Sequence, residues 1–560
     1  MLASLSYAFG LLFFVISWLG YDHYRPWINF HSESLAFLGL FCLIASALLY
    51  RRQQASLPHA TAWIGLVAFI PWVQYATGIS LFAGDALMSS LYLSGLLGAA
   101  FVGFSLCHSE ARQAERGIIG LMHCLWIAAT LSGAIGLAQW FNVDGPLGMY
   151  VVQSDLGDRA MGNLGQANQL ATLLLMGIVA YTFVYERGII RRLAFFVGIG
   201  FLTIVLVLSQ SRAGMVSALV LAAFLAWKTR AVKLRISVKV IAIWVLSFSL
   251  GTLLLPYLSE ALLMTSVRKL TAAGPVGERW QMWQQIAYAV FQSPWVGYGW
   301  NQTPTAHAAS AIAFPGSVTY TNAHNFVMDI LAWNGLPLGL LLTGAILYWF
   351  VTRAFAARRV DAIYAMACLL PVAVHSMLEY PFAYAYFLIA SGFMVGVVEA
   401  ASSPLKTIKF NIRWAWGFLG LWVSVSSYLA YEYFLIEEDF RVVRFENLKI
   451  GQTPSSYEVP DVWMISHMAT MLKAARLRAY PGMSSEEIEM LRASSARFAY
   501  GALRFRYAQA LALNGDLKGA VSQMATIRGM YGEAYYAGCK AALREQSGQY
   551  PLFATLLLPD

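Results

Sequence analysis

Residues 259–285 read SEALLMTSVRKLTAAGPVGERWQMWQQ, and the same polar stretch runs on through SPWVGYGWNQTPTAHAAS (293–310) to TYTNAHN (319–325). It is the one long interruption in a body of apolar segments. Loops between membrane helices are usually short, so a loop over 259–325 has a task of its own. Arg279 lies on a predicted helix with Trp280, Trp283 and Ala287 at helical spacing. The stretch ends with Asn322, His324 and Asn325 against the next apolar segment. A titratable imidazole near a cation, held where membrane meets water, is equipment for chemistry on a bilayer-anchored substrate.

Working outward, the whole chain of 560 residues is 59% hydrophobic and only 12% charged. Soluble proteins carry about 25% charged residues. Apolar spans fall near 4–20, 34–50, 60–77, 87–106, 117–141, 167–185, 193–208, 213–227, 240–258, 326–351, 361–379, 384–400 and 414–431. Most approach or reach the roughly 17–25 residues that cross a bilayer. The expected fold class is therefore all-α: a polytopic membrane protein with about 13 transmembrane helices. A net charge of +9 raises the question of nucleic acid, but its placement answers otherwise. The basic residues gather in alternate loops: Arg51 and Arg52; Arg112 and Arg116; Arg187, Arg191 and Arg192; Lys228, Arg230, Lys233, Arg235 and Lys239; Arg353, Arg358 and Arg359; Lys406, Lys409 and Arg413. The opposite short loops hold only Arg25, Arg159 and Arg212. By the positive-inside rule the N-terminus is cytoplasmic, and the 259–325 loop and the tail lie on the far side. The first span lacks a basic n-region and a clear cleavage site, so it reads as a retained helix.

Two domains are expected: a membrane domain over 1–431, including the loop, and a helical far-side domain over 432–560. In the latter, YAQALALNGDLKGA (507–520) is similar to one tetratricopeptide helix-turn-helix, with Gly515 in the turn. One repeat does not make an array, which needs about three. Cys539 is the tail's only cysteine, so no disulfide closes within it. No CxxC, HExxH or His/Cys cluster marks a metal site, and no cofactor is expected. Asp155 and Asp158 could ligate a hard cation, but a polar turn explains them better.

Polar residues collect at the far-side ends of the spans. GNLGQANQLA (162–171) holds Asn163, Gln166, Asn168 and Gln169; capping accounts for one amide, and the others suit a polyhydroxyl substrate. Arg212 occupies a tight turn in LSQSRAGMVS (208–217). An arginine there could simply snorkel, yet a cation at the membrane is costly and points to function. Arg279 could be an ordinary solvated charge, and His307 an ordinary loop histidine. His324 differs by its asparagine neighbours and its place at a span mouth. In HSMLEYPFAYAYF (375–387), His375 and Glu379 share a helical face and Tyr380 follows; an aromatic belt explains Tyr384 and Tyr386 better than it explains the acid.

The ordered set GNLGQANQLA, SRAG (211–214), GERWQMW (277–283), NAHN (322–325) and HSMLEYP (375–381) resembles the bacterial O-antigen ligase and polymerase superfamily, and more closely its PglL-type protein O-oligosaccharyltransferases. The resemblance implies glycan transfer from undecaprenyl pyrophosphate to a periplasmic acceptor, such as a type IV pilin or pilin-like protein, by an enzyme of the inner membrane. It matches His324 to the essential loop histidine, Arg212 and Arg279 to two arginines, Gln166 to a glutamine and Tyr380 to a tyrosine. His375, Glu379, Asn163, Asn168, Asn322 and Asn325 are further substrate-binding candidates. The chemistry agrees. A hydroxyl needs a base, and imidazole, with a pKa of about 6.5, is suited to the task. Two guanidiniums can hold a departing pyrophosphate without a metal. Partners are then the lipid-linked oligosaccharide, a protein acceptor and membrane lipid, with no nucleic acid. A lipid A core ligase, a glycan polymerase and a glycolipid transporter remain alternatives. A transporter would place charges at mid-membrane or repeat its halves, and neither is visible here.

The alternating basic loops make a topology prediction. A reporter active only in the periplasm should work when fused after Asp560 and be silent when inserted near Lys233; activity at Lys233 would reverse the orientation.

Overall fold

A computed structural model describes residues 1–51, 53–108, 111–153, 159–262, 276–402 and 406–558. It is mostly helical: α1 Leu2–Ser17, α2 Phe30–Leu49, α3 His59–Val67, α4 Ile70–Ala76, α5 Ala83–Cys107, α6 Ala111–Trp140, α7 Ala167–Glu186, α8 Arg192–Leu208, α9 Arg212–Ala231, α10 Val238–Ala261, α11 Val276–Gln292, α12 Thr303–Ser310, α13 Phe326–Ala356, α14 Val360–Ser376, α15 Ala385–Ala400, α16 Ile412–Leu448, α17 Ser466–Arg476, α18 Ser485–Arg497, α19 Gly501–Leu513 and α20 Leu517–Gln546. Among the described residues, eight helices are long and apolar enough to cross a membrane: α2, α5, α6, α7, α9, α10, α13 and α16. Four shorter apolar helices accompany them: α1, α8, α14 and α15. The chain is a multi-pass membrane protein.

Two expectations need correction. The third span, 60–77, is not one helix. Pro71 opens α4, and the chain breaks between α3 and α4. Nor is the fold purely helical. β1 (Gln54–Pro58) pairs antiparallel with β2 (Thr407–Asn411), with Ala55 opposite Phe410 and Leu57 opposite Ile408. The alternation in TIKFN is a strand signal, but its partner lies too far along the chain to be found by local pattern.

The chain forms two compact units. The first comprises Met1–Val67, Leu91–Ala272 and Leu347–Ser426. Its core is a continuous apolar cluster, with α7 nearly encased by its neighbours. Several of its buried charges are matched. Lys228 donates from Nζ to the Ala357 carbonyl (2.8 Å) and lies over the Trp227 ring. Arg353 grips Glu399 through two nitrogens, and Arg187 pairs with Asp361.

The second unit comprises Ala68–Ser90, Ala273–Ile346 and Ser427–Asp560. The tail thus shares its unit with α4 and with the polar loop. α16 runs on past residue 431, and its Glu432, Asp439 and Glu446, seven residues apart, form one stripe that anchors the tail. Glu432 accepts the backbone N–H groups of Trp463, Met464 and Ile465 ahead of α17. Arg476 binds Asp439 through two nitrogens and Glu446 through a third. Further along, Arg497 of α18 forks onto the buried Asp85 of α5. The expected helix-turn-helix is present as α19 and α20. Gly515 turns at φ +94°, and Ala508, Ala512 and Ala520 are buried between the helices.

α13 is not straight. Gly335 (φ +73°) and Pro337 break it, which frees carbonyls that a lipid bilayer cannot satisfy. Residues 293–302 supply the partners. Tyr298 N–H donates to Ala332 O (2.8 Å), Gly299 N–H to Trp333 O (3.1 Å), and Leu336 N–H to Pro294 O (2.7 Å). The buried Gln74 of α4 completes the stitch: its amide donates to Trp333 O and accepts from Trp300 N–H. A Cβ on Gly335 would lie 2.7 Å from Pro294 O, on a backbone that disfavours side chains. Gly335→Ala should therefore cost about 1–3 kcal/mol, read as a lowered thermal midpoint in detergent.

Candidate functional site

Each unit carries one cluster of the residues singled out above. In the second unit, α11 presents Arg279 and Trp283 one turn apart on one face. The Trp283 indole N–H donates to the Ala323 carbonyl (3.0 Å), immediately before His324. Farther along α11, Gln285 donates to Phe314 O and accepts the Tyr320 hydroxyl. The loop is thus laid along this helix. The Ala323 N–H is held from the other side: it donates to Asp329 Oδ1 (2.9 Å). His324 follows with φ +50°, a left-handed turn that lifts the chain onto α13. Asn325 is accounted for locally, because its Oδ1 accepts the N–H groups of Val327 and Met328 and caps α13. Asn322 is half-buried, with its Oδ1 accepting the Thr321 hydroxyl.

His307 has no such setting. It is fully buried and stacks on Tyr320 with ring centroids 4.0 Å apart, and its ring nitrogens have no hydrogen-bond partner among the described residues. Burial, and after it the Arg504 guanidinium, pushes its pKa down to about 3. It is a neutral core ring.

In the first unit, Asn168 is the hub. Its Oδ1 accepts from Ser211 Oγ (2.7 Å) and from Arg159 Nη2 (3.0 Å), and its Nδ2 donates to Glu379 Oε1 (3.4 Å). Arg159 also donates to Ser209 O (2.9 Å), which ties it to the turn that carries Arg212. Ser211 caps α9 through Gly214 N–H, and this places Arg212 in the first turn, half-buried. There the helix N-terminus adds its partial positive charge to the guanidinium. His375 Nδ1 pairs with Thr172 Oγ1 (2.8 Å) one helical turn beyond Asn168. Gln166 stands at the start of α7 and is half-buried, with no side-chain hydrogen bond among the described residues. Asn163 is committed to the scaffold: its amide donates to Leu19 O and Tyr150 O and accepts Val152 N–H. Tyr380 stacks on Tyr384 (5.9 Å), and burial, then the charge of Glu379, raises its pKa, so the phenol is a donor at neutral pH.

The sequence reading missed Arg159, Thr172, Thr303 and Asp329. Asp329 could have been found, because an acid inside an apolar span is itself a signal. Asp155 and Asp158 lie outside the described residues. No group of three or more His, Cys, Asp or Glu able to hold a metal occurs among the described residues.

The similarities to known proteins define the class. Residues 196–343 match the O-antigen ligase family and residues 160–180 the protein glycosylation ligase family. Residues 363–546 match the C-terminal part of the virulence factor membrane-bound polymerase family. The chain is 28% identical over 542 residues, 93% of its length and 91% of the relative's, to a general O-oligosaccharyltransferase of Acinetobacter baylyi. A ComP-specific O-oligosaccharyltransferase of the same organism is 25% identical over 410 residues, 70% of this chain and 73% of its own. The chain is a glycosyltransferase. It is similar to the O-antigen ligase family and, within it, to protein O-oligosaccharyltransferases.

A second buried histidine, His467, is pushed down to about 4, chiefly by burial, with Arg497 adding to the shift and Asp85 opposing it. Both rings are neutral in the fold and take up a proton near pH 6.5 when unfolded. Their stabilisation is complete above about pH 6.5 and is lost as pH falls toward 4 and 3. The thermal midpoint should fall between pH 7 and 4, and His307→Phe, which keeps the stack on Tyr320, should flatten that fall.

Proposed function

We propose that this chain transfers an oligosaccharide from a polyprenyl pyrophosphate, undecaprenyl pyrophosphate in bacteria, to a hydroxyl of an acceptor protein in the periplasm. The enzyme sits in the inner membrane with its N-terminus inside. About thirteen crossings, α3 and α4 together making the third, put the loop and the tail outside. The acceptor class is a pilin-like protein. The observation that carries the proposal is the fixing of the residue before His324 from both sides, by Trp283 and by Asp329, inside the stretch that matches the ligase family.

His324 takes the proton of the attacking serine or threonine hydroxyl. The new bond forms between that oxygen and the anomeric carbon, and the bond from that carbon to the pyrophosphate oxygen breaks. The leaving lipid pyrophosphate carries away the electron pair and gains charge. Arg212 and Arg279 bind that charge, for which planar guanidinium forks are suited. Gln166, Asn168 and Tyr380 position the donor. Attack in line with the leaving group inverts the anomeric centre.

The test uses purified protein, lipid-linked oligosaccharide and a pilin-like acceptor, read as a mass shift on the acceptor. His324→Ala should lower transfer by about 10²–10⁴-fold while the protein stays folded. Arg212→Lys and Arg279→Lys should each impair turnover, since charge without the fork is not enough. His307→Phe is the matched control, because His307→Ala would open a cavity in the core. Wild-type transfer to lipid A core or to the growing glycan, with none to protein, would move the chain to a sibling activity. Transfer to no acceptor at all would favour the transporter.

A further inference from the structure

We propose that Asp329 is a positioning residue for His324: its buried carboxylate fixes the loop at Ala323 and holds the imidazole oriented as the base. The inference rests on the reading of His324 as that base. Asp329 and Thr303 are both fully buried. Their bonds form a chain in which the Trp333 indole N–H donates to Thr303 Oγ1 (2.8 Å) and the Thr303 hydroxyl donates to Asp329 Oδ1 (2.8 Å). The same oxygen accepts Ala323 N–H, so one carboxylate ties α12, α13 and the His324 loop together. It stands in the first turn of α13, one turn after the Asn325 cap. Asp329 and His324 lie close enough for their charges to interact. Tyr320, covered by the ring of His307, is another titratable group near Asp329.

The experiment compares wild type, Asp329→Asn, Asp329→Ser and Thr303→Val in the glycan-transfer assay across pH. A neutral imidazole is the active form, so activity rises with pH through the imidazole's pKa. Removing the carboxylate should move the rising limb to lower pH. At neutral pH, kcat should fall by about 10–100-fold with KM little changed. Asp329→Ser carries the same expectation if the asparagine variant does not accumulate. Thr303→Val removes a donor but keeps the charge, so its limb should stay where the wild type's is. An unmoved limb in the folded Asp329 variants, or an equal shift in Thr303→Val, overturns the proposal. His324→Ala separates the failures: if it stays active, the base assignment is lost; if it is inactive while the Asp329 limb does not move, only the positioning role is.

Discussion

A hydrocarbon layer offers no partner to a peptide N–H or carbonyl, and each one left open there costs several kcal/mol. That constraint shapes this chain. It makes the spans helical, and it turns the break at Gly335 into something the rest of the unit must answer. The answer comes from a loop and from one glutamine. Tyr298 and Gly299 donate to the carbonyls freed in α13, and Gln74 holds both the loop and the break. The same segment that repairs the helix leads into α12, and from there to Thr303 and the Asp329 carboxylate. Satisfying the backbone and building the His324 loop are therefore one construction.

Charges inside the units follow the same logic. Lys228 is 2% exposed and rests on the carbonyls that follow α13 and on the face of Trp227. Glu399 and Asp361 each face arginines, and Glu432 is consumed by three backbone donors. Such pairs do little for net stability but are severe to break, because one partner alone is an uncompensated charge. The polar groups proposed for catalysis are set differently. Arg212, Arg279, His324 and Gln166 are half-buried at helix ends. The contrast between His307 and His324 rests on this. Both are loop histidines in sequence, yet one is a stacked neutral ring in a core and the other tops a capped helix.

What the sequence determined by itself was the membrane character, the placement of most helices and the family. These depend on local content: apolar runs of bilayer length, basic residues in alternate loops, and short motifs in a fixed order. Arg212, Asn168, Tyr380 and His324 stand out in the sequence because each lies in such a motif at a span end. Only the tertiary structure decided the rest. Asn163 and Asn325 bond backbone groups, and β1 finds β2 across most of the chain. Arg159 joins Asn168, and α16 runs on into the tail. Asp329 becomes part of the His324 loop. Most of these depend on which groups the fold brings within about 3 Å of one another, not on the local pattern. Local pattern carries the period of a helix and the cost of a charge in lipid; it does not carry the partner that relieves that cost.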